Sequence, residues 1–170
     1  MAVVNTKSTI ISNADATPRI VNTSFLDSGE VRSSAGFVSV AAGDDDGSVY
    51  RLFRVPSGAI LLGVEFKHAA IAGATDYDLN FYDIQGTNLG AIISPTPHAA
   101  DAIDFSLARA QFTNLLFGGA TGIAASQANK RCWELTTLAV DPKKPFDVCL
   151  LANVVGTAAG DIAFRAFWTV

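Results

Sequence analysis

Two histidines, His68 and His98, and two cysteines, Cys132 and Cys149, are the side chains best suited to proton or thiol chemistry near neutral pH. Neither histidine stands in an H-x-H or H-E-x-x-H pattern, and neither has a recognisable Ser-His-Asp context. Both fall at the ends of predicted elements, so they are expected as loop histidines facing solvent. The cysteines lack a C-x-x-C partner and an adjacent histidine, which leaves redox and zinc chemistry without support. A disulfide between them is open in principle; for a chain made in a reducing cytoplasm, two part-buried free thiols fit better.

The carboxylates give three further candidates. Asp44-Asp45-Asp46 supplies the hard oxygens that calcium takes, but its spacing is not that of an EF-hand loop, and a solvated hairpin tip accounts for it. Asp76, Asp78 and Asp83 flank Tyr77 and Tyr82, a combination that could contact a sugar or supply a glycosidase acid. Strand alternation puts Asp76 and Asp78 together on the water side, where such charges normally serve solubility. Gly118-Gly119-Ala120-Thr121-Gly122 has the glycines of a phosphate loop without its Lys-Ser/Thr ending. Asn22-Thr23-Ser24 matches a glycosylation triplet, but Met1 to Ser12 shows no basic leader or apolar stretch of signal-peptide type. No catalytic residue, cofactor site or metal site is therefore expected.

The elements that would position any site are mostly strands. Alternation runs through Val31–Ala41, Val49–Val55, Ala59–Lys67, Asp76–Tyr82, Phe146–Asn153 and Asp161–Thr169, with a short edge strand at Ala91–Ile93. Pro56-Ser57-Gly58 predicts a hairpin between the second and third of these. In the fourth, Tyr77, Leu79 and Phe81 point inward and Asp78 and Asn80 outward. Phe105, Ala108, Phe112, Leu115 and Leu116 fall on one helical stripe, with Asp104 as cap and Gly118-Gly119 as stop, which predicts a helix. Arg131–Leu138 fits a helical turn or a strand equally. The sum is an all-β chain, an antiparallel β-sandwich of jelly-roll type with one inserted short helix.

Residues 1–24 break from this pattern, scattering Val3-Val4, Ile10-Ile11 and Ile20-Val21 among Ser, Thr and Asn around Pro18. They read as an extended N-terminal arm, whether a floppy terminus or a strap whose apolar pairs anchor to another surface, ahead of a single domain over 25–170. The 170 residues suffice for one core. Charged residues make up 16%, against about 25% in average soluble domains, which suits a surface that meets other protein. A net charge of −4 gives no attraction to phosphate backbones, so nucleic acid is not an expected partner. No run approaches the roughly 18 apolar residues of a membrane span.

Ser48-Val49-Tyr50-Arg51-Leu52-Phe53-Arg54-Val55-Pro56-Ser57-Gly58-Ala59, the strand to Phe66 and Asp76-Tyr77-Asp78-Leu79-Asn80-Phe81-Tyr82 resemble a family of capsid cement, or decoration, proteins of tailed bacteriophages. Trp133-Glu134-Leu135, Asp141-Pro142 and the Gly156–Gly160 turn are similar too, so the resemblance covers Gly29 to Val170. It implies a jelly-roll protein on the outer capsid surface of a virion assembled in the host cytoplasm. The implied partners are the major capsid protein and further copies of this chain, as a dimer or trimer; the implied role is clamping neighbouring capsomers, with the arm as a second foothold. A receptor- or carbohydrate-binding sandwich from a tail or fibre is the alternative, although Trp133 and Trp168 lie in apolar company instead of polar loops.

Overall fold

A computed structural model of the chain describes residues 15–18, 20, 30–93, 103–106 and 127–170, together with the course of the backbone over 109–114. Eight strands follow in order: β1 (Val31–Val40), β2 (Val49–Pro56), β3 (Ile60–His68), β4 (Asp76–Tyr82), β5 (Asn88–Ile93), β6 (Arg109–Asn114), β7 (Pro145–Val154) and β8 (Gly160–Thr169). They form two four-stranded antiparallel sheets, β1-β8-β3-β6 and β2-β7-β4-β5. The pairs β1–β8, β2–β7, β3–β6 and β4–β5 are those of one long hairpin rolled on itself, which is the jelly-roll order. Among the described residues, no helix is long and apolar enough to cross a membrane.

Period-two alternation supplies the core. From β7 come Phe146, Val148, Leu150 and Ala152; from β8, Ile162, Phe164, Ala166 and Trp168; all are buried. At one end, Phe105 is fully buried with its ring against Phe66, His68 and Tyr77 at centroid distances of 5.8, 4.5 and 5.0 Å. Towards the other side, Phe53 stacks on Phe164 and Trp168, both at 5.8 Å. At Gly36 of β1 a Cβ would sit 3.0 Å from the Phe164 ring, so a larger residue there obliges the ring to give by a few tenths of an ångström.

Four expectations are corrected. The segment expected as a helix carries β6, paired with β3 through Glu65 with Asn114, Phe66 with Thr113 and His68 with Arg109. Asp104 caps no helix; its Oδ1 accepts from the Ser106 amide at 2.7 Å and the Thr75 hydroxyl at 2.6 Å, closing the loop before the strand. A vacant strand position in the sheet outweighs a helical stripe that the sequence carries by itself. Nor do β2 and β3 form a hairpin. Pro56-Ser57-Gly58 makes a tight turn, with the Ala59 amide donating to Pro56 O at 3.0 Å, but carries the chain from one sheet to the other.

Asp78 and Asn80, expected on the water side, are only 7% and 3% exposed. Their strand is interior to its sheet, flanked by β7 and β5; alternation sets which face a side chain takes, and neighbours decide whether water reaches it. His68, expected in solvent, is buried on β3, with Nδ1 donating to Ala69 O at 2.9 Å. The ambiguous stretch after Arg131 is a 3-10 turn over Cys132–Leu135.

Candidate functional site

Ile20, the one described member of the arm's apolar pairs, is 54% exposed; Val3, Val4, Ile10, Ile11 and Val21 lie outside the described residues. So do His98, the Gly118–Gly122 loop and Asn22-Thr23-Ser24. The expected arm and its boundary at residue 24 fall largely there as well.

Three of the described polar groups bear on the carboxylates and arginines of the candidate site. On the outer face of the second sheet, Asp147 of β7 takes two arginines from β2: Arg51 Nη1 donates at 2.8 Å, Arg54 Nε at 2.6 Å and Arg54 Nη2 at 3.0 Å. Strict alternation would put Arg51 and Arg54 on opposite faces. A bulge between Arg51 and Phe53 shifts the phase, turning both arginines outward while Phe53 and Val55 go in. The Arg54 guanidinium, helped by that of Arg51, holds the Asp147 carboxyl below its ordinary value, so it stays ionised and is a poor proton donor or acceptor at neutral pH. No sequence motif announces this cluster, since the bulge that makes it is invisible to residue spacing.

The Asp44-Asp45-Asp46 run is no hairpin tip, because β1 and β2 belong to different sheets; it bridges the layers. Asp44 Oδ2 accepts from the Ala41 amide at 2.9 Å and from Tyr50 Oη at 2.7 Å, and Asp46 Oδ1 accepts from the Val155 amide at 3.0 Å. The backbone bond, with the Tyr50 bond second, lowers the Asp44 carboxyl; burial raises Tyr50, and burial pushes Tyr77 up to about 12. These carboxylates tie a crossing together. Among the described residues, no group of three His, Cys, Asp or Glu side chains is placed to hold a metal ion. The third place pairs Ser57 Oγ with Asp141 Oδ1 at 2.5 Å, with Asp141 also accepting from the Lys143 amide at 2.8 Å. Both cysteines are free and buried, and desolvation pushes each thiol up to about 12.

A cleft of about 170 Å³ is lined by Ile84, Leu89, Leu138, Pro142, Pro145 and Phe146 together with Asp83, Gln85 and Lys144. Ile84 is 43% exposed, and Val140, between the lining residues Leu138 and Pro142, is 71% exposed. A cleft of this size can seat a single side chain. Trp133 and Trp168, by contrast, pack on or within the core.

No protein-family model and no curated protein matches the chain. Among solved structures it is similar to a chain of the cyanophage Pam1 capsid asymmetric unit, at 16% identity and a TM-score of 0.49, over 100% of this chain and 99% of that one.

Proposed function

We propose that the chain is a structural virion protein without catalytic activity. It binds the outer surface of an icosahedral bacteriophage capsid and stabilises it by bridging neighbouring capsomers. The observation that carries this reading is the apolar cleft with exposed Ile84 and Val140 beside it, on a chain with few charges. The described carboxylates at the three polar clusters, meanwhile, bond to turns, crossings and strand edges. The sequence resemblance points the same way, and the jelly-roll order is the fold it implies. The cyanophage capsid chain is too distant a likeness to add weight.

A protein that binds only the assembled shell stabilises it by mass action, by about 2.7 kcal/mol per site at a free concentration of 100 Kd. Two footholds on adjacent capsomers multiply the effect, because separation then requires both to release together. The arm, residues 1–24 with Val3-Val4, Ile10-Ile11 and Ile20-Val21, is the second foothold in this scheme, added as a strand along a neighbour. Co-sedimentation with naked shells of the parent phage tests it. The full chain pellets with shells, Ile84→Asp and Val140→Asp together weaken binding by at least about tenfold, and deletion of residues 2–24 weakens it again. Binding unchanged by the paired substitutions removes the cleft from the contact; binding unchanged by the deletion removes the arm.

A further inference from the structure

A β-sheet edge displays unpaired backbone donors and acceptors, and folded proteins normally blunt it with bulges, charges or proline. Three of the four edges here are blunted. β2 is bulged and carries Arg51, Arg54 and Pro56; β5 shifts register twice against β4; β6 shifts register against β3. β1 is different. It pairs with β8 from Val31–Thr169 to Val40–Gly160 without a register shift, contains no proline, and has Arg32 as its one charged residue. Seven of its first nine residues are exposed, Phe37 by 68% and Val31 by 59%, and among the described residues no strand pairs with its free edge.

We propose that β1 is the contact through which two copies of this chain associate, pairing antiparallel with β1 of a second copy about a two-fold axis beside Gly36. Directly opposite residues in an antiparallel pair face the same side, so an axis normal to the sheet passes beside a residue paired with itself. An axis at Gly36 sets Phe37 against Ala35 of the second copy, Ser33 against Ser39, and Val31 against Ala41. On the face that carries Phe37, each large side chain then meets a small one, twice over. Charge is no obstacle: Arg32, whose described ion contact is one of 3.8 Å to Glu30 with both side chains largely exposed, comes opposite the uncharged Val40 of the second copy. No like charges face each other along the ladder, and two four-stranded sheets become one of eight.

This names a surface for the self-association expected of a coat protein, but it stands on the edge alone. The test uses the full chain. Sedimentation velocity from micromolar to millimolar protein shows a monomer–dimer equilibrium, and Phe37→Glu raises its dissociation constant at least about tenfold. Because opposite Cα atoms lie about 4.5–5.5 Å apart, within disulfide reach, Ser33→Cys and Ser39→Cys chains cross-link under mild oxidation when mixed and not when alone. The buried native thiols do not compete. A monomer at every concentration, a dimer indifferent to Phe37→Glu, or a mixture that cross-links no better than the separate variants overturns the proposal. A chain that stays monomeric yet still pellets with shells leaves the virion reading standing and removes only this contact.

Discussion

The first edge strand of each sheet carries a phenylalanine, and the two have opposite fates. On β2, the bulge at Arg51/Phe53 turns Phe53 into the core between Phe164 and Trp168, while Arg51 and Arg54 turn out onto Asp147. On β1 there is no bulge, and Phe37 stands 68% exposed beside small residues. One edge is latched by ions and twisted; the other is left straight and weakly charged. The contrast teaches that an exposed apolar strand in this molecule is not what a jelly roll must have at its margin, since the same fold closes the other margin by local means. Among the described residues only β8 pairs with β1, which is the opening that the proposed second copy would fill.

Breaking the two edges in turn sharpens the contrast. Phe53→Ala removes a ring packed on two aromatic neighbours and lowers stability by about 3–5 kcal/mol, seen as a lower denaturant midpoint at unchanged slope. Asp147→Asn leaves two guanidiniums without their carboxylate and costs about 1–3 kcal/mol, with chemical denaturation as the readout. Asp44, Asp141 and Asp147 all have lowered pKa values in the folded chain, so the stability they confer is present above the unfolded aspartate value of 3.8 and is lost as pH falls through their folded values. Acid titration of the melting temperature therefore falls away below about pH 4, and Asp147→Asn makes that fall shallower. At the smallest end, Phe37→Ser shifts stability of the isolated protomer by no more than about 0.5 kcal/mol, while it weakens self-association. A Phe37→Ser protomer as damaged as Phe53→Ala would mean that β1 is closed after all.

Most of the sandwich was legible from period-two alternation, because β3, β7 and β8 carry apolar residues at every second position over much of their length and turn clusters separate them. What alternation could not show was partnership. Pro56-Ser57-Gly58 reads the same whether the chain returns beside itself or crosses to the other sheet, and only the pairing of β2 with β7 and β3 with β8 distinguishes the two. The helical stripe from Phe105 was a local signal for a segment whose neighbours are distant: Phe105 is fixed by Phe66, His68 and Tyr77, and β6 by β3. His68 and Asp78 were misplaced for the same reason, since exposure depends on what else packs over a face.

Of the candidate site, the sparse charge and the few chemically active residues were plain in the sequence. The cleft between Ile84 and Pro145 was not, because its lining comes from two stretches far apart in the chain, 83–89 and 138–146. Nor was the Arg51–Asp147–Arg54 latch, which exists only through a one-residue change of phase.

Thermal disruption of naked parental shells, followed by light scattering with and without added protein, tests the central claim most directly. The account predicts that saturating protein raises the disruption temperature in proportion to the sites filled, and that the arm-deleted chain raises it less. A disruption temperature that does not move while every shell site is occupied would contradict it.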